Sequence, residues 1–309
     1  MSLLKRKIPM IENELTHIDA SLEDPFDTNS CKLGEGPFWH PLRESLFWFD
    51  ILNATLYERN QIGLHQWRFE QMVSAAGWIN QEELLIASET ELFRFNLKTG
   101  EKHHLTRLED NNEITRSNDG RADPWGGFWI GTMGKNAEEG AGAIYRYYRG
   151  ELRQLISNIS ISNAICFSPD KHFAYFTDTP TRKIMRVALD SKSGWPCAEP
   201  EFFLDLNNSE LNPDGAVVDS TGNIWIACWG DSAVHAFTSE GRHFCRIGYP
   251  ALQISCPAFG GPDLSRLYAT SAAVDINEPD IIKSRAGNTF MVSTEFTGVA
   301  EPAVIVDFL

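Results

Sequence analysis

The chain has 309 residues, with 27 Lys and Arg against 42 Asp and Glu, and a formal charge of −15. A surface that acidic repels phosphate backbones, and no basic run offsets it, so nucleic acid is excluded as an expected partner. No apolar run reaches membrane-spanning length, which excludes a helical membrane anchor.

Residues 1 to about 30 are polar. Lys5-Arg6-Lys7 has the form of a signal-peptide n-region, but Ile8-Pro9-Met10-Ile11-Glu12 follows where an apolar stretch would be needed. A soluble, cytoplasmic protein is therefore expected. Six scattered cysteines with no C-x-x-C among them fit reduced thiols buried as small hydrophobes, not a disulfide frame or a thiolate zinc site. A short strand is expected near Leu15 to Asp19.

From Leu33 onward a unit repeats. Gly34-Glu35-Gly36-Pro37-Phe38-Trp39 leads through a turn into the strand Leu46 to Ile51, and Ala75-Ala76-Gly77-Trp78-Ile79 leads through another into Leu84 to Ala87. In the third copy Arg116-Ser117-Asn118-Asp119-Gly120 precedes the turn Pro124-Trp125-Gly126-Gly127 and the strand Phe128-Trp129-Ile130. There Pro124 pre-sets φ and the glycines permit the positive φ of a tight reversal. The fourth copy carries Ile161-Ser162-Asn163 and the fifth Pro213-Asp214-Gly215 with Ile224-Trp225-Ile226-Ala227. The sixth carries Ser255-Cys256-Pro257 with Leu267 to Thr270.

Aligning Glu35, Ala76, Asp119, Asn163, Asp214 and Cys256 gives intervals of 41, 43, 44, 51 and 42 residues. The longest holds Ser191 to Pro196, a loop insertion. No helix signal of convincing length occurs. Short strands in units of a little over 40 residues predict an all-β, six-bladed β-propeller. It is expected to form one domain over residues 1–309, its N-terminal strand closing the last blade so that no edge stays unpaired. The abundant aromatics are expected between blades, as core.

In a propeller the first strand of each blade lines the central channel, so the aligned residues are expected to meet at one mouth. Four of the six, Glu35, Asp119, Asn163 and Asp214, offer oxygen. Singly, each has an ordinary structural reading as a turn or strand-end residue; together they repel unless a cation sits among them. Hard oxygen donors suit Ca2+, Mg2+ or Mn2+, and Zn2+ also accepts carboxylates. An EF-hand is excluded, because in the nearest match, from Asp205, Glu210 stands where glycine is needed and Ala216 where the closing Glu belongs. No nucleophile elbow, Walker loop, H-E-x-x-H or dinucleotide fingerprint is present.

The motifs Gly34-Glu35-Gly36-Pro37-x-Trp39, Asn118-Asp119-Gly120 through Gly131-Thr132-Met133, Ile161-Ser162-Asn163, and Pro213-Asp214-Gly215 with Ile224 to Ala227 stand in register over residues 34 to 271. In this the chain resembles the SMP-30/gluconolactonase/regucalcin family. The resemblance implies a six-bladed propeller that opens a sugar (aldono)lactone with the help of one divalent cation. It implies Glu35, Asn163 and Asp214 as metal ligands, Asp214 also as acid/base, and Arg116 and Asn118 as substrate contacts. The small-molecule partner is then a sugar lactone. Some members place a substrate-contacting glutamate three residues after the Gly-Thr-Met triplet, where this chain has Asn136, with Glu138 and Glu139 as the substitutes the loop offers. The competing expectation is a non-catalytic, calcium-binding or regulatory propeller. Arg116 with Asn118 separates the two, because a mere ion site has no use for a cation beside it.

Overall fold

The computed structural model describes residues 15–306; Lys5-Arg6-Lys7 and the segment after it lie outside them. Each repeat folds as a small antiparallel sheet, because its strands are too short to bury two apolar faces alone and must stack on a neighbour. Six sheets result. Their inner strands are Gly34–His40, Val73–Trp78, Thr115–Ala122, Ser162–Phe167, Pro213–Val218 and Gln253–Gly260. Each inner strand packs against the next, and the sixth packs against the first, so the six blades close a ring. This is a six-bladed β-propeller.

The apolar clusters lie between blades, one at each of the six seams. Trp48, Trp129 and Trp225, all on second strands, are fully buried in three of them. The expected inter-blade role of the aromatics holds. So does the turn in the third repeat: Asp123 N–H donates to Gly127 O at 2.9 Å, and Gly126 adopts φ +85°.

One expectation needs correction. The N-terminal strand, Thr16–Asp19, does not close the last blade; it pairs in parallel with His243–Gly248, the outer strand of the fifth. That outer edge offers a free ladder, and Ile18 and Ala20 bury against the core between blades five and six. The chain then crosses the sixth blade, touching it by a bridge between Asp27 and Thr289, and bridges Leu33 to Ala272 on entering the first. The sixth blade has three strands among the described residues. A short helix, Glu278–Ser284, also occupies the sixth repeat, capped by Asn277, whose side chain accepts from Asp280 N–H. At 7 residues it is too short for a readable apolar period.

No helix among the described residues is long and apolar enough to cross a membrane. All six cysteines are free thiols, five of them buried and Cys197 exposed. Denatured without reductant, the protein should titrate six thiols per chain; a lower count that reductant restores would contradict the arrangement.

Candidate active site

Every inner strand breaks its ladder register near one mouth of the channel. The shifts fall at Glu35/Phe38, Val73/Ala75, Ser117/Gly120, Asn163/Cys166, Pro213/Ala216 and Ile254/Pro257. A bulge adds a residue, bends the strand and re-aims side chains. Glycine is required at two of them. Gly36 adopts φ +55°, and a Cβ there would lie 2.4 Å from Ser74 O. A Cβ on Gly215 would lie 2.2 Å from Cys256 Sγ.

The bulges also revise the expected column of rim residues. Glu35 and Asn163 precede their bulges, Asn118 and Asp214 are the next residue along, and Asp119 and Cys256 the one after. The polar groups thus converge from different register positions. Asp119 turns away from the cavity: its Oδ2 accepts the Ile165 N–H at 2.7 Å, filling the orphan amide of the neighbouring bulge. It stitches blade three to blade four and is no rim ligand.

The other predicted residues come together. Glu35, Arg116, Asn118, Asn163 and Asp214 all line one cavity of about 410 Å³, within the ordinary size of a small-ligand site. A hydrogen-bonded chain runs round it through three blades. Arg116 Nη1 donates to Asn118 Oδ1 at 2.7 Å, and Asn118 Nδ2 donates to Asn163 Oδ1 at 3.0 Å. Asn163 Nδ2 donates to Thr179 Oγ1 at 2.9 Å, and Thr179 Oγ1 to Pro213 O at 2.7 Å, next to Asp214. At the other end of the channel the C-terminal segment crosses over: Trp78 Nε1 donates to Glu301 O at 2.8 Å, and the Glu301 carboxylate pairs with Arg121.

The electrostatics are set by burial. Glu35 and Asp214 are only 5% and 7% exposed, and their carboxyls interact directly. Burial first, then the charge of Asp119 on Glu35 and the charges of Glu35 and Asp119 on Asp214, push both well above the usual carboxylate range, while the bond from Asp214 draws Glu35 part of the way back. Arg116 is lowered to about 10 by burial, against the pull of Glu35 and Asp214, and stays a cation at neutral pH.

Once ionised, two carboxylates facing each other, with an amide oxygen beside them, fit a hard divalent cation. Among the described residues no cluster of three or more His, Cys, Asp or Glu side chains is disposed to hold a metal. The set here is two carboxylates and the Asn163 amide, with room in the cavity for water or substrate to supply the rest.

The exits of the second strands complete the cavity, and the sequence motifs did not include them. Leu52, Lys135, Thr179, Trp229 and Val274 each follow a second strand and line the wall. The same position in blade two is Glu89, whose Oε1 lies 2.7 Å from Lys135 Nζ. The signal was available as a second column of the repeat, one or two residues after each second strand. Asn136 and Glu138 bond each other, Asn136 Nδ2 donating to Glu138 Oε1 at 3.0 Å, and neither lines the cavity.

The SMP-30/Gluconolactonase/LRE-like region model matches residues 33–273. A Rhizobium meliloti protein that bears the provisional name sugar lactone lactonase is 40% identical, over 89% of this chain and 94% of its own. The pentonolactonase of Haloferax volcanii is 34% identical, over 80% of this chain and 84% of its own. Among solved structures, a calcium-binding protein, regucalcin, from Agrobacterium tumefaciens superposes with a TM-score of 0.91 at 38% identity, covering 94% of this chain and all of that one.

Proposed function

The chain belongs to the SMP-30/gluconolactonase/LRE-like family, and on that premise we propose that it is a divalent-cation-dependent sugar lactonase that opens monosaccharide aldonolactones. Relatives named as lactonases support the reaction class. The observation that carries the reading is the cavity itself, in which Glu35, Asn163 and Asp214 converge beside the Arg116–Asn118 pair.

Lactone opening adds water to the carbonyl carbon, breaks the ring C–O bond and returns a proton to the departing ring oxygen. Glu35, Asn163 and Asp214 would hold the cation. When bound, it polarises the lactone carbonyl and makes nearby water more acidic. Asp214 is the proton carrier: it takes the proton from water and delivers it to the ring oxygen. Arg116 brings a forked, permanently charged donor to substrate oxygens, and Asn118 both donates and accepts toward a hydroxyl. The bond from Arg116 to Asn118 fixes both before substrate arrives.

A non-catalytic calcium-binding role is the second reading, favoured by the solved regucalcin relative. A pH-stat measurement of gluconolactone opening, with chelator and then with each of Ca2+, Mg2+, Mn2+ and Zn2+, decides between them. Arg116→Ala leaves every ligand in place, so cation affinity should hold or rise slightly. Turnover should fall by roughly 1.5–3 kcal/mol in kcat/KM, the worth of a charged hydrogen bond. Full activity in that variant would remove Arg116 from the substrate site.

A further inference from the structure

Within the lactonase reading just given, we propose that Lys135 is a specificity-determining residue, held by Glu89 to donate hydrogen bonds to a hydroxylated exocyclic arm of the lactone. Lys135 lines the same cavity as Arg116 and Asn118. Its side chain is 36% exposed, whereas Arg116 and Asn118 are each 6% exposed. It therefore stands farther out on the wall, above the floor where the carbonyl must sit. In the proposed pose the carbonyl would sit between Glu35 and Asp214, the ring hydroxyls would meet Arg116 and Asn118, and the substituent would meet Lys135 on the same wall.

Lys135 is built into place. Its Nζ contacts Glu89 Oε1 at 2.7 Å, across the seam between blades two and three. Glu89 is itself fixed: its Oε2 accepts the Met72 N–H at 3.0 Å, and its own N–H donates to Met72 O at 3.1 Å. The Lys135 N–H donates to Ile114 O at 2.8 Å, so both ends of this long side chain are held. Glu89 also lies close enough to Arg116 to act on its charge. Acid and base thus alternate along the wall, from Glu35 and Asp214 to Arg116, Glu89 and Lys135.

That alternation decides what Lys135 reads. An ammonium has three donors and one is directed to Glu89, which also matches its charge. Two remain for acceptor oxygens, and a charge-matched cation favours neutral hydroxyls over a second anion. The preferred class is therefore an aldonolactone with a hydroxymethyl or longer hydroxylated arm.

The test compares glucono-1,5-lactone with xylono-1,5-lactone, which has the same ring without the hydroxymethyl group, on the cation-loaded full-length protein. In Lys135→Met the ratio of kcat/KM, gluconolactone over xylonolactone, should drop about tenfold from the parent value, mostly through KM. Lys135→Arg, which keeps charge and donors, should recover most of it. Calorimetric cation affinity should match the parent, showing the floor intact. Lys135→Gln, with an intermediate ratio expected, keeps the comparison available if the Met variant does not fold. A ratio within twofold of the parent in these variants overturns the proposal. So does a Lys135-dependent preference for a lactone bearing a carboxylate on its arm. If the parent opens neither lactone at any cation loading, the lactonase reading falls first and this inference falls with it; intact turnover with an unchanged ratio removes only the inference.

Discussion

Asp214→Ala is expected to abolish lactone turnover and to weaken cation binding in the same variant. The substitution takes away a charged ligand and the proposed proton carrier at once. A positioned acid or base is worth roughly 10²–10⁴ in rate by itself, so kcat/KM should fall by at least that range. It also takes away the side chain that hydrogen-bonds Glu35 and leaves a single carboxylate, which binds a cation less well. Paired calorimetry and steady-state kinetics check both effects. Retained turnover with lost cation affinity would strip Asp214 of its proton-transfer role; lost turnover with parental cation affinity would strip it of its ligand role.

The second large effect is on stability. Glu35 is raised from 4.5 to about 8, by burial first and by the Asp119 charge second, and Asp214 is raised with it. Between those limits the folded, cation-free protein holds protons that the unfolded chain has released. The native state binds more protons there, so unfolding free energy falls as pH rises from about 4.5 to about 8 and levels off above. The expected loss is on the order of a few kcal/mol. A divalent cation favours the ionised pair and should restore the lost stability, so its stabilising increment grows with pH. Glu35→Gln mimics the protonated acid, so in chelator it should unfold later than the parent at pH 8 and nearly together with it at pH 5. Urea unfolding in chelator and in excess Ca2+, from pH 5 to pH 8, measures all of this. Parent and variant curves that stay parallel across that range would show that the two acids do not share a proton. Comparing variant with parent cancels the titrating groups remote from Glu35; Asp214, and Asp119, raised to about 6 by burial, interact with Glu35 and shift with the substitution.

Much of this could be read in the chain. The units of a little over 40 residues predicted six blades, because each must present one inner strand and the same turns, whatever its neighbours. Glu35, Asn163 and Asp214 were visible as polar residues where apolar strand was due, Arg116 and Asn118 came from the family resemblance, and the structure gathers all five in one cavity. Asp119 belonged to the same pattern by position, yet it faces the Ile165 amide. A bulge adds one residue to one strand, so the face to which a side chain points depends on where the register slips. Spacing along the chain carries no mark of that.

By itself the sequence determined the repeat, the strand-rich class and the residue types at the channel mouth, since these follow from local patterns of burial and turn chemistry. Tertiary structure decided three further things. It sent Thr16–Asp19 to the fifth blade, where an open outer edge and an apolar seam were both available. It separated the cavity residues from Asp119 by the register of the bulges. It also joined Glu89 to Lys135 across two blades. Each of these rests on partners that only the closed ring brings within a few ångströms, and contacts of that range have no signature in the spacing of residues along one strand.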